Sequence, residues 1–124
     1  MTVPILKQHH FLIASVQSAL TDDDMEDMQR RLVRRVGDDR IQGVIIDVTV
    51  VDVLDSYSSR TLRAIADMIR LRGAETVIVG IQPDVAFAMI QLGLTLKDVP
   101  TALDLEEGIR LLNARIRRRH HHGQ

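Results

Sequence analysis

Two periods of apolar spacing run through the chain and divide it into short strands and longer helices. The apolar runs Pro4–Leu6 and Phe11–Val16, separated by Lys7-Gln8-His9-His10, read as a strand pair with a turn at the two histidines. Thr21 then stands as a helix cap ahead of Asp22, Asp23 and Asp24, whose carboxylates suit the positive end of a helix dipole. Met25, Met28, Leu32 and Val36 follow at helical spacing, with Gly37 as the expected stop. Val44-Ile45-Ile46-Asp47-Val48 is apolar at successive positions, which predicts a strand covered on both faces.

Asp55-Ser56 caps the next helix, whose stripe is Leu62, Ile65, Ala66 and Ile69; Arg60, Arg63, Asp67 and Arg70 fall off that face, and Gly73 ends it. Thr76–Val79 is a buried strand closed by Gly80. Pro83 suits the first turn of a third helix carrying Val85, Ala88, Met89 and Leu92 before Gly93. Val99–Ala102 is a short last strand. Asp104, with Glu107 three residues on, opens a helix striped by Leu105, Ile109, Leu112 and Ile116. The order is β-β-α-β-α-β-α-β-α. Strands alternating with helices imply parallel crossovers, and the opening pair adds an antiparallel element. The expectation is an α/β fold, a mixed β-sheet with about four helices, forming one domain over residues 1–116. A basic, histidine-rich tail over residues 117–124 is expected to be disordered.

Composition narrows the function. The chain has 124 residues, enough for one core without staples, and no cysteine, which removes disulfides and thiolate metal sites. Sixteen basic residues against seventeen acidic ones leave no global field to hold nucleic acid or an anionic membrane. The only aromatics, Phe11, Tyr57 and Phe87, offer no stacking platform for single strands. No apolar run approaches the ~18 residues of a membrane span, and residues 1–8 carry no signal-peptide pattern. Nucleic acid and membrane are therefore not expected as partners, and a cytoplasmic location is.

Several chemistries lack their residues. The seven glycines are isolated helix stops and turn residues, so neither a dinucleotide fingerprint nor a P-loop is present. The five histidines sit at the first turn and the C-terminal end, away from every strand-end loop, so no metal site, cofactor or catalytic base is expected. Asp47 and Asp55 flank the loop after the third strand and invite comparison with phospho-accepting receiver domains. Those need acids after the first core strand and a lysine beside the acceptor. Here Gln17-Ser18 follows Phe11–Val16, and the only lysines are Lys7 and Lys97. An enzyme is not expected.

Ser56, in Leu54-Asp55-Ser56-Tyr57-Ser58-Ser59, is the remaining candidate. It reads two ways. Asp55 or Ser56 caps the helix, worth about 1 kcal/mol. Alternatively Ser56 accepts a phosphate at a helix N-terminus whose free N–H groups and dipole suit a dianion. That placement spares the fold, whereas a partner docked there would have to bury about two negative charges.

The blocks Val3-Pro4-Ile5-Leu6-Lys7, Val44-Ile45-Ile46-Asp47-Val48-Thr49, Leu54-Asp55-Ser56, Gly80-Ile81-Gln82-Pro83 and Thr101-Ala102-Leu103-Asp104-Leu105-Glu106 resemble the STAS domain of bacterial anti-sigma-factor antagonists. They are closest to the small stressosome antagonists of the RsbS type, over about Val3 to Leu112. The resemblance implies a STAS fold and a non-catalytic, phosphorylatable scaffold protein of a stress-signalling complex. It implies a serine/threonine switch kinase, longer STAS-domain scaffold paralogues and a phosphatase as partners, with a homodimer and a large hetero-assembly. Carried over by position, Ser56 is the phosphoacceptor and Asp55 a neighbouring acid on the kinase-contacting surface. Tyr57-Ser58-Ser59 departs from the Asp-Ser-Ser-Gly pattern of the sporulation antagonists, which favours the stressosome branch; Ser58 and Ser59 are secondary. Helical spacing adds Arg60 and Arg63 to the partner-facing set. The alternative is a STAS-type module that binds a nucleotide or another small ligand.

Overall fold

A hairpin opens the computed structural model, which describes residues 2–122. Its strands β1 (Ile5–Gln8) and β2 (Phe11–Ser15) pair antiparallel, and His9 takes the left-handed φ of 57° in the turn between them. From β2 onward every pairing is parallel, through β3 (Gly43–Asp47), β4 (Glu75–Val79) and β5 (Thr101–Ala102). The strands lie in the order β1-β2-β3-β4-β5. Between them run α1 (Asp22–Asp38), α2 (Ser56–Leu71) and α3 (Pro83–Gln91), and α4 (Leu105–His122) closes the chain. The mixed α/β order read from the sequence is the order found.

Strand alternation builds two apolar layers. Leu12, Ala14, Val44, Ile46 and Ile78 face α1 and α2, meeting Met28, Leu32, Leu62, Ile65 and Ile69. Ile13, Ile45, Val77 and Val79 face the other way, against Leu112 and Ile116 of α4. Each fully buried Leu or Ile contributes about 1.5–3 kcal/mol of transfer free energy, and the buried set is aliphatic, with Tyr57 and Phe11 packed at the margins of its two layers. Gly108 lets α4 lie close, since a Cβ there would press on Val79. Two arginines of α1 reach the free edge beside β1. Pro4 turns its carbonyl to Ser15 of β2, so the carbonyls of Val3 and Ile5 point outward, where the Arg31 and Arg35 guanidiniums donate to them at 2.6 and 3.5 Å.

Four local expectations are corrected. Gly37 lies within α1, which runs to Asp38; Arg40 supplies the left-handed turn instead, at φ 53°. On α3 only Val85 and Met89 are buried, while Ala88 and Leu92 face outward. Leu105 is exposed at the mouth of α4. The stretch from Arg117 is not a disordered tail as far as it is described: α4 continues to His122. Arg115 and Arg119 both reach Glu75 on β4, at 3.0 and 3.3 Å, and Arg119 also donates to the Gly73 carbonyl at 2.7 Å. Cations in the last turns also suit the negative end of the helix dipole. Gly123 and Gln124, the rest of that expectation, lie outside the described residues.

Candidate functional site

Parallel register brings Asp47, Val79 and Ala102 side by side at the carboxyl ends of β3, β4 and β5. Loops leaving that edge meet in space, which is where α/β sheets place their sites. The loop from β3 to α2 is held there by a set of local bonds. Asp47 Oδ1 accepts from the Thr49 backbone N–H at 2.9 Å and from the Thr49 hydroxyl at 2.6 Å, an Asx-type turn. Val48 donates its N–H to the Val79 carbonyl, and Val51, buried, donates to Val48, both at 3.0 Å. Gly80 passes so close that a Cβ would collide with Thr49, and its φ of 83° is one that side chains rarely adopt. The loop is thus fixed at both ends and in the middle, with Val50 and Val53 left exposed.

Asp55 is the N-cap of α2, in extended backbone, with Oδ1 accepting from the Ser58 N–H at 2.8 Å. Hydrogen bonds from Ser58, foremost its backbone N–H, hold the Asp55 carboxyl below the usual carboxylate range, and the positive charge of Arg60 adds to the effect. Ser56 is the first residue inside the helix, and it is exposed. Its neighbours are differently placed. Tyr57 packs against the core, Ser58 is half-buried, and Ser59 is buried with a hydroxyl that meets no partner. Arg60 and Arg63 are exposed four and seven residues after Ser56, which puts all three on one helical face.

The structure therefore places the four site residues together, Asp55 as the N-cap and Ser56, Arg60 and Arg63 in the first two turns of α2. It adds residues that the sequence reading passed over. Thr49 and Gln82 brace the loop, the Gln82 side-chain amide donating to the Thr49 carbonyl at 2.7 Å. The Asp47–Thr49 spacing carried a turn signal; the Gln82 bond carried none. Val50 and Val53 add two exposed apolar side chains to a rim that also carries Asp52 and Asp55. Among the described residues no group of three or more His, Asp or Glu is arranged to hold a metal ion. His9 and His10 lie exposed in the hairpin turn, and Asp22, Asp23 and Asp24 form the first turn of α1. Among the described residues no helix is long and apolar enough to cross a membrane.

The family model of the STAS domain matches residues 2–108. The chain belongs to the STAS family. RsbRA of Bacillus subtilis, an RsbT co-antagonist protein, is 30% identical over 98 residues, 79% of this chain. The chain spans about a third of that relative's length, 34%. A solved serine-to-glutamate variant of RsbS from Moorella thermoacetica superposes with a TM-score of 0.78 at 29% identity, covering 93% of this chain and 97% of that one. A chain from the structure of the stressosome, described as a signal integration and transduction hub, gives 0.75 at 30% identity over 90% of this chain and 96% of its own. The sporulation antagonist SpoIIAA, in its unphosphorylated form, shares the fold at 0.65 and 11% identity. This STAS domain is of the kind found in stressosome antagonists.

Proposed function

We propose that this STAS domain is a non-catalytic scaffold and antagonist of a stressosome-type complex, which holds a serine/threonine switch kinase and releases it when Ser56 is phosphorylated. The observation that carries the reading is the placement of one hydroxyl. Ser56 alone of the three serines in the first turn of α2 is exposed, at the helix end whose dipole favours negative charge. In the proposed step the Ser56 oxygen attacks the γ-phosphorus of ATP, the bond to the ADP oxygen breaks, and the hydroxyl proton passes to a base on the kinase. A phosphatase reverses the mark by hydrolysis.

The switch follows from two unequal energies. A phosphate at the first helical position gains about 0.3–1 kcal/mol from the dipole, so the fold is kept. Burying its roughly two negative charges under a docked kinase costs more than that, so the partner leaves. Exposed Val50 and Val53, with Asp55, Arg60 and Arg63, would form the kinase-contacting rim. The likeness to RsbRA and to the stressosome chain supports assembly with longer STAS paralogues.

Incubation with the cognate switch kinase and ATP, followed by peptide mass spectrometry, tests the reading. A single phosphate on Ser56 is expected, with Ser56→Ala retaining the kinase and Ser56→Asp losing it. Modification elsewhere, or equal retention by both variants, overturns it.

A further inference from the structure

Helix α2 carries Ser56 at one end and Arg70 at the other, about 21 Å apart at 1.5 Å per residue. Beside Arg70 opens a cleft of about 550 Å³, near the amino ends of β4 and β5, walled by Arg70, Asp98, Val99, Pro100 and Arg115. Asp98 holds a left-handed φ of 68°, and its carbonyl accepts from Arg70 Nη2 at 3.2 Å. Arg70 Nη1 lies 3.5 Å from Asp67, and Arg115 gives its Nε–H to Glu75 at 3.0 Å. Two opposite charges are left over on the walls. The Asp98 carboxylate and the two terminal nitrogens of Arg115 have no partner among the described residues, and they form no ion pair with each other.

We infer that this cleft binds a small zwitterion, an α-amino acid with an apolar side chain. Its carboxylate accepts from the free end of the Arg115 guanidinium, a planar fork that matches carboxylate geometry. Its ammonium donates to the Asp98 carboxylate, and its side chain lies on Val99 and Pro100. A ligand of one sign fits worse. An anion meets Asp98 as well as the arginines, and a cation meets two guanidiniums. Charges behind the walls are already balanced, with Asp67 on Arg70 and Glu75 shared by Arg115 and Arg119. Both recognising groups are also set before the ligand arrives, since Glu75 fixes Arg115 and Arg70 fixes the backbone of Asp98. Asp98 is exposed and Arg115 half-buried, so solvent screens both contacts and the affinity is modest. The site is independent of the reading of Ser56, and Ser56→Ala should bind as the native chain does.

Titration of the intact chain with L-valine, followed through its amide NMR resonances, tests the inference. The signals of Asp98, Val99 and Arg115 should move together and saturate with a Kd of about 1–10 mM. The matched analogues 3-methylbutanoate, which lacks the ammonium, and isobutylamine, which lacks the carboxylate, should each bind about tenfold more weakly. Asp98→Asn keeps a residue that tolerates the left-handed turn. It should weaken valine about tenfold while 3-methylbutanoate binds no worse than to the native chain. Arg115→Gln, whose amide can still donate to Glu75, should weaken valine and 3-methylbutanoate alike. No saturable shift up to about 100 mM valine, a one-charge analogue binding as tightly as valine, or unchanged valine binding by Asp98→Asn would each overturn it.

Discussion

Gln82 and Thr49 stand 33 residues apart in the chain and are joined by one bond, from the Gln82 side-chain amide to the Thr49 carbonyl at 2.7 Å. Gln82 is the N-cap residue of α3, yet its side chain makes no capping bond there. It ties the loop carrying Asp55 and Ser56 to the neighbouring strand-end loop. Replacing Gln82 by Ala should cost about 1 kcal/mol, felt locally. Hydrogen exchange should quicken at residues 49–54 while the amides of β3 and β4 keep their protection. Unchanged exchange in that loop would show that the bond is dispensable.

Gly80 and Gly93 both hold positive φ, 83° and 70°, but only Gly80 is crowded, its missing Cβ facing Thr49. Gly93→Ala should cost about 1–2 kcal/mol, the left-handed backbone penalty alone. Gly80→Ala adds the collision, so its loss should be larger, about 3 kcal/mol. Urea denaturation of both variants gives the comparison, and equal losses would mean that the loop moves aside freely.

The cap of α2 should be visible in the pH dependence of stability. Because hydrogen bonds from Ser58 lower the Asp55 pKa on folding, its contribution is complete above the unfolded carboxylate range and fades as pH falls through the lower folded value. Asp55→Ala should lose about 0.5–2 kcal/mol at pH 7. Asp55→Asn still accepts the Ser58 N–H, so it should keep most of the stability at pH 7 and lose part of the acid-side decline. Asp24, lowered by its bonds with Thr21, would leave a residual slope. An Asn variant with the full native slope would assign the effect elsewhere.

Glu75 is almost wholly buried, and the more exposed Arg115 and Arg119 converge on it. Replacing both arginines by Ala should cost about 1–3 kcal/mol, because the carboxylate is left without its partners in a poorly hydrated place. Helicity measured by circular dichroism should fall by the last turns of α4. Glu75→Gln, which keeps hydrogen bonding without the charge, should fall between the native chain and the double variant. Native helicity in the double variant would show that helix propensity alone carries the C-terminal turns.

Most elements were legible because their signals are local. Thr21 does cap α1, with Asp24 reaching back to complete the box, and Met25, Met28, Leu32 and Val36 are all buried as their spacing required. Asp55 and Ser56 were found for the same reason: a cap is written in adjacent residues. Gly37 misled because a glycine is permissive anywhere, and the chain stopped α1 at a left-handed Arg40 instead. Leu92 fitted a helical stripe, but nothing in the layers reaches round to cover it.

The sequence by itself determined the order of elements, the two-sided aliphatic sheet and the residues at the mouth of α2, since period and capping depend on neighbours in the chain. Tertiary structure alone decided that Gln82 braces Thr49, that Arg119 holds α4 past Arg117, and that Ser59 is buried while Ser56 is open. Those outcomes depend on which distant segment arrives alongside. Burial and long-range hydrogen bonds are properties of the packed layers, and no local pattern fixes them.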